Sequence, residues 1–271
     1  MTCHRHPERD AGRRCTRCGR PACEQCLVQA SVGSQCVDCA KAGRPDVRTR
    51  ARHWNARQTA PITSGLIALN TLVFVWSVLA DPASLSGRFT SVHRRLVLNE
   101  YPLADSGEWY RLVTAGFLHY GLIHLALNMY LLYMLGRMLE PMLGGIRFTL
   151  VYAASLLGGS AGVLLLQPEA LTAGASGAVF GLMGLAFVGY WLQGTNPMNT
   201  SIGSLFLLNI VLTFMLSDRI SVGGHLGGAA AGALCALAVM APNWRPVPRW
   251  ATFAVPTAIA LASVAVSVAV V

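Results

Sequence analysis

The stretch LTAGASGAVFGLMG, residues 171–184, sets one serine, Ser176, among small and apolar residues. A serine becomes a useful nucleophile only when a base takes its proton and donors stabilise the oxyanion that its attack creates. Both kinds of partner occur in this chain. GGHLGG carries His225, and HYGLIHLALN carries His119, His124 and Asn128. His124 and Asn128 are four residues apart, so on a helix they share a face and can aim an imidazole and an amide at one point. The hydrophobic segments around Ser176 and His225 contain no Asp or Glu. The chemistry on offer is therefore a Ser–His pair without a carboxylate, a shortened form of triad logic. Each residue alone has a plain structural use: a serine back-bonds to its helix, a histidine packs beside glycines, an asparagine bridges helices. Only their convergence at one depth argues for catalysis, and that depends on the elements that carry them.

Hydrophobic residues make up 54% of the 271 and charged residues only 12%, against about 25% charged in soluble domains, so the chain reads as an all-α membrane protein. Seven apolar windows approach the roughly 20 residues needed to span a bilayer: Ile62–Leu79, Arg111–Leu135, Phe148–Leu166, Ser176–Leu192, Ile202–Leu216, Val222–Met240 and Trp250–Val270. The fifth is the shortest. Asp81–Tyr110 reads as a long loop. The basic flank RPDVRTRARHWNARQ, with Arg137, Arg147 and NWRPVPRW, places the N terminus inside and the C terminus outside; Arg88, Arg94 and Arg95 run against that trend. In this topology Ser176, His225, His119, His124 and Asn128 all fall toward the outer ends of their spans. Gly224, Gly228 and Gly232 recur every four residues, as do Gly177 and Gly181, which lets those two helices approach closely enough for a serine and a histidine to meet.

The N-terminal part has a different composition. Residues 1–60 hold 12 of the 21 Lys and Arg and 7 of the 8 cysteines, which separates a small basic head from the hydrophobic body. We divide the chain into a cysteine-rich module (1–42), a basic juxtamembrane linker (43–60) and a membrane domain (61–271). The first 20 residues are polar, with no apolar signal segment, so the head is expected to stay on the side of synthesis. Its ligand pairs are Cys3/His6, Cys15/Cys18, Cys23/Cys26 and Cys36/Cys39, each with two residues between. Eight ligands suffice for two tetrahedral Zn2+ sites, and a cytoplasmic head argues against disulfides. Pairing is either crossed, first with third and second with fourth, or sequential. His4 competes with His6, but only His6 keeps the spacing. Cys235, within a span, reads as a small apolar residue. The head lacks interleaved aromatics and a recognition helix, so nucleic acid is not an expected partner. Its basic charge faces anionic lipid more simply, and a cytoplasmic protein is the partner expected of the zinc module.

The blocks WYRLVTAGFLHYGLIHLALNMYLLYMLGRMLE (109–140), GASGAVFG (174–181) and GHLGG (224–228) resemble the motifs of rhomboid intramembrane serine proteases. The head resembles B-box-like or treble-clef zinc modules. The rhomboid resemblance implies a polytopic helical bundle, a six-helix core with a seventh C-terminal span here, that cleaves membrane proteins in or near their transmembrane segments without a catalytic cofactor. It implies Ser176 as nucleophile and His225 as base and later acid, with His124, Asn128 and the Ser176 N–H as the oxyanion hole. Gly174 would let the backbone pass close to substrate, and Trp109, Arg111 and Glu140 match structural positions. His119 matches a structural or water-retaining histidine. Phe180 stands where many relatives carry a hydroxylated aromatic against the catalytic histidine. The expected setting is a multi-pass protein of a bacterial plasma membrane, acting on transmembrane protein substrates within the lipid bilayer. Substrates should carry Gly, Pro or small residues near the cut, where unwinding is cheap. No HExxH motif and no pair of intraspan aspartates supports another protease chemistry. Two other readings stay open: a non-catalytic rhomboid-like adaptor that binds transmembrane segments, and a transporter with a histidine proton path, which lacks acidic residues and inverted repeats.

Overall fold

The computed structural model describes every residue except 31–32, 44–59, 219, 243 and 245. Contacts divide the chain into two units, Met1–Arg57 and Gln58–Val271. The juxtamembrane linker expected over 43–60 lies almost wholly outside the described residues.

In the head, β1 (Arg13–Arg14) pairs antiparallel with β2 (Pro21–Ala22), and β3 (Leu27–Gln29) with β4 (Ser34–Cys36). The register Leu27↔Cys36 leads directly into α1 (Val37–Ala42). The buried core of this unit consists of cysteines with Ala11 and Ala22. Such a core covers too little apolar area to hold a chain this short, and needs a staple.

The body begins with α2 (Pro61–Ala80), whose proline sits in the first turn, where its missing N–H costs nothing. Asp81–Tyr110 is more ordered than a plain loop: a 3-10 turn over Pro82–Ser86 precedes α3 (Ser91–Leu96) and α4 (Glu100–Ser106). Then follow α5 (Arg111–Thr114), α6 (Leu122–Leu143), α7 (Gly145–Leu166), α8 (Ser176–Leu192), α9 (Ser201–Met215), α10 (Val222–Val239) and α11 (Ala251–Val270). The bundle is a helical membrane architecture. By length and composition α2, α6, α7, α10 and α11 can cross a bilayer, while α8 and α9 have 17 and 15 residues.

One span needs correction. The second was expected to start at Arg111, but residues 111–117 form a separate short helix and a 3-10 turn, and the long helix starts at Leu122. Two features enforce the break. Gly121 adopts φ +85° and packs on the Gly87 backbone, where a Cβ would lie 3.0 Å from the Gly87 nitrogen. Arg111 is buried and held by Glu108 at 2.6 Å and by the carbonyls of Arg94 and Val97 at 3.0 and 2.9 Å, which ties residues 111–117 to the preceding segment.

α7, α8 and α10 form the centre of the bundle. A Cβ on Gly228 would collide with the Gly177 carbonyl, and one on Gly232 with the Gly181 carbonyl, so α8 and α10 touch backbone to backbone. The opposite face of α10 does the same against α7, with Gly223 and Gly227 on the carbonyls of Gly162 and Gly158. Phe148, Leu182, Met183 and Leu185 fill the core that these contacts enclose. Glu140, 3% exposed, caps α2 from within the bundle: its carboxylate accepts from Ile62 N–H (2.9 Å), Thr63 N–H (2.8 Å) and the Thr63 hydroxyl (2.7 Å).

Candidate active site

Ser176 is the first residue of α8, so its N–H belongs to the helix end that has no intrahelical acceptor. The segment leading to it is pinned on both sides. Leu98 and Thr172 exchange backbone hydrogen bonds of 2.9 Å, and Gly174 N–H donates to the Ala115 carbonyl at 2.9 Å. Gly174 has φ +130°, and a Cβ there would lie 2.9 Å from His124 Nε2 and 3.7 Å from Ser176 Oγ. Only glycine leaves space between the imidazole and the hydroxyl.

His225 lies one turn into α10, whose N-terminus is capped by the Ser221 hydroxyl accepting from Gly224 N–H (3.0 Å) and by Gln167 Oε1 accepting from Gly223 N–H (3.0 Å). Its ring stacks on Phe180, centroids 3.8 Å apart and planes at 17°. Ser176, His225, His124, Asn128 and Gly174 all line one cavity of about 790 Å³, together with Asn209 and Asp218. Among the described residues no hydrogen bond joins Ser176 to His225. The His225 ring bond that is present goes from Nδ1 to the Thr213 hydroxyl, 2.7 Å away.

One hydrogen bond to the His124 ring assigns its tautomer. Tyr120 N–H, which can only donate, reaches His124 Nδ1 at 3.3 Å. Nδ1 therefore accepts, the neutral ring carries its proton on Nε2, and Nε2 is the nitrogen nearest Gly174. Asn128 Nδ2 donates one hydrogen to the His124 carbonyl at 3.0 Å, which leaves its second hydrogen for another acceptor. His119 is buried in the break before α6, its ring edge-on to His124 at 5.1 Å. Trp109 packs with Leu98, Leu103 and Leu112 in a small cluster beside α5.

His93 and Thr213 went unnoticed in the sequence. His93, fully buried on α3, accepts from Thr90 N–H at its Nδ1 (3.3 Å) and stacks on Tyr120 at 5.0 Å, behind His124. Burial lowers its pKa from the ordinary histidine value. Neither residue belongs to a motif; no spacing announces them.

In the head, the side chains of Cys3, His6, Cys23 and Cys26 form one quartet and those of Cys15, Cys18, Cys36 and Cys39 another, each with its ligand atoms within 4.8 Å. His6 Nδ1 lies 3.5 and 3.3 Å from the sulfurs of Cys23 and Cys26, and Cys18 Sγ lies 3.8 Å from Cys36 Sγ. A tetrahedron with bonds of about 2.3 Å to sulfur and 2.0 Å to nitrogen has edges of about 3.5–3.8 Å, so these separations suit a shared cation. They are too long for a disulfide, and every cysteine is free. The acidities of the thiols are split within each quartet. Burial opposes ionisation of Cys3 and Cys15, yet backbone donors, led by those of Cys23 and Cys36, bring both down to about 6. Burial, then the neighbouring Cys23 and Cys3, pushes Cys26 up to about 11; hydrogen bonding with Cys18 and Cys36, then burial, pushes Cys39 up to about 12. A cation in each quartet would favour the thiolate form of all its cysteines. His4 stands outside both quartets, bonded to the Pro21 carbonyl at 2.9 Å and to Asp38 at 3.2 Å.

Comparison with known families fits the geometry of the body. The profile of the Rhomboid domain matches residues 106–242, about half of the chain. The chain belongs to the rhomboid family. It is similar to the putative rhomboid protease YdcA of Bacillus subtilis, 36% identical over 177 residues, covering 64% of this chain and 86% of that protein. It is also similar to the rhomboid protease GluP of Bacillus subtilis, 36% identical over 148 residues (53% of this chain, 29% of GluP). The mitochondrial RHOMBOID-like protein 6 of Arabidopsis thaliana is 31% identical over 162 residues, 59% of this chain and 53% of that protein. The chain thus spans well under two thirds of the latter two rhomboid relatives.

Proposed function

We propose that this rhomboid is an intramembrane serine endopeptidase working through Ser176 and His225. The observation that carries the proposal is that Ser176, His225, His124 and Asn128 line one cavity. His124 presents a donor, and His225, bonded through Nδ1, keeps Nε2 for the role of base. In this reading the Ser176 hydroxyl attacks the scissile carbonyl and its proton passes to His225 Nε2. The resulting oxyanion is met by the Ser176 N–H, His124 Nε2–H and the free hydrogen of Asn128. His225 then gives its proton to the leaving amine, and water hydrolyses the acyl–serine by the same steps. The 17-residue α8 is about 25 Å long, less than the hydrocarbon thickness, which lets its N-terminus and the serine sit below the membrane surface in a wet cavity. Substrates are membrane proteins whose transmembrane segments unwind near small or helix-breaking residues.

Ser176→Ala and His225→Ala are each expected to abolish cleavage of a transmembrane reporter while the protein stays folded in detergent; wild-type rates in either variant would overturn the assignment. The N terminus is cytoplasmic and the C terminus outside in this reading, so reporters fused at residue 45 and after Val271 should show opposite sidedness. Same-side reporters would contradict it. The head holds two structural Zn2+ in the crossed arrangement, Cys3, His6, Cys23 and Cys26 around one and Cys15, Cys18, Cys36 and Cys39 around the other. It serves as a docking module for a cytoplasmic protein.

A further inference from the structure

We propose that Thr213 is the positioning residue of the catalytic base, its hydroxyl taking the place that a carboxylate holds in a three-residue triad. The proposal rests on the Ser176–His225 reading above. Thr213 is fully buried on α9 and its oxygen makes two contacts of 2.7 Å, one to the Asn209 carbonyl a turn earlier and one to His225 Nδ1. A hydroxyl has one proton to give. The carbonyl can only accept, so that proton goes to Asn209. The oxygen then meets His225 through a lone pair, and Nδ1 must carry a hydrogen. Both bonds are satisfied in this tautomer alone, and it is the one that leaves Nε2 unprotonated.

Three further observations support the role. The back-bond to Asn209 and the branched Cβ of threonine restrict the hydroxyl to a fixed direction, so the acceptor is in place before substrate arrives. Phe180 stacks on the ring face and, having no hydroxyl, gives the imidazole no polar direction of its own. The hydroxyl also orients the ring without placing an unpaired charge inside the bilayer, which a carboxylate would do at high cost. α9 is otherwise weakly embedded: its only other buried residues are Ile202 and Gly203, at the far end of the helix. Leu205, Phe206 and Ile210 of the same helix pack on the core while only partly buried.

The test compares Thr213→Val, which keeps the shape and loses the acceptor, with Thr213→Ser, which keeps the acceptor and loses the methyl. Readouts are kcat and KM on a transmembrane reporter, the rate of fluorophosphonate labelling at Ser176, and 15N spectra of the His225 ring. Wild type should show hydrogen on Nδ1 and a bare Nε2. Thr213→Val should lose that single tautomer and drop in kcat by about tenfold or more, as expected for one lost hydrogen bond of about 1.4 kcal/mol, with KM nearly unchanged. Thr213→Ser should stay close to wild type in all three. A purely packing role predicts the reverse order, with Ser worse than Val. Thr213→Val with wild-type kcat, or hydrogen on Nε2 in the wild-type spectrum, would overturn the proposal; the spectrum decides even if a variant does not fold. If Ser176→Ala still cleaves, the dyad reading itself fails; if cleavage needs Ser176 and His225 but not the Thr213 hydroxyl, only the positioning role fails.

Discussion

Glu140 offers a stringent test of how the bundle is held together. α2 buries only Thr63, Asn70, Phe74 and Ser77 among its 20 residues, so little apolar packing fixes it. The Glu140 carboxylate supplies three hydrogen bonds of 2.7–2.9 Å to its first turn. Hydrogen bonds to a charged group contribute about 1.5–3 kcal/mol each, but N–H groups at a helix end recover part of that from water when the cap is removed. Glu140→Ala should therefore cost about 3 kcal/mol, read as a fall in midpoint on the order of 10 °C in thermal unfolding of the detergent-solubilised protein. Glu140→Gln keeps one acceptor oxygen but turns an amide donor toward N–H groups, and should lose about half as much. Glu140 lies far along α6 from His124 and Asn128, so cleavage at permissive temperature should persist in both variants. An Ala variant as stable as wild type, or a Gln variant worse than Ala, would refute the capping argument.

Gly228→Ala puts a methyl into the Gly177 carbonyl next to Ser176 and should cut cleavage at least tenfold at an overpacking cost of about 1–3 kcal/mol, whereas Gly65→Ala, which faces open space, should change nothing; equal activity in the two would remove the close-contact argument. His93 has a lowered pKa in the folded protein, so the unfolded chain binds its proton first on acidification. Stability should fall as pH drops below the ordinary histidine value and keep falling until the folded pKa is reached, and a His93→Gln variant should lack that component in unfolding measured against pH. Elemental analysis of the full chain should find two zinc ions, and one in Cys39→Ser; a content near zero in the wild type would end the zinc assignment.

Much of the architecture is legible in the sequence because bilayer thickness imposes one simple rule, a long apolar window. Each of the seven windows corresponds to a helix. The rule misplaces the start of α6 because residues 111–117 are apolar enough to pass for a span, while the break depends on Gly121 packing against Gly87, a contact that pairs distant segments. The glycine spacing in α10 is visible, but not that the helix uses both faces: the Gly158 and Gly162 partners on α7 emerge only once the helix rotations are fixed. His93, Thr213 and the cap made by Glu140 escape for the same reason. Each acts through one contact with a distant element, and neither composition nor periodicity encodes it.

The most direct measurement is mass-spectrometric mapping of a fluorophosphonate adduct on the purified protein. The account predicts one adduct on Ser176 in the wild type, formed far more slowly in His225→Ala, and no adduct in Ser176→Ala. Cleavage of a transmembrane reporter that persists once Ser176 is fully modified by the probe, or labelling of Ser176 that proceeds unchanged without His225, would contradict the account.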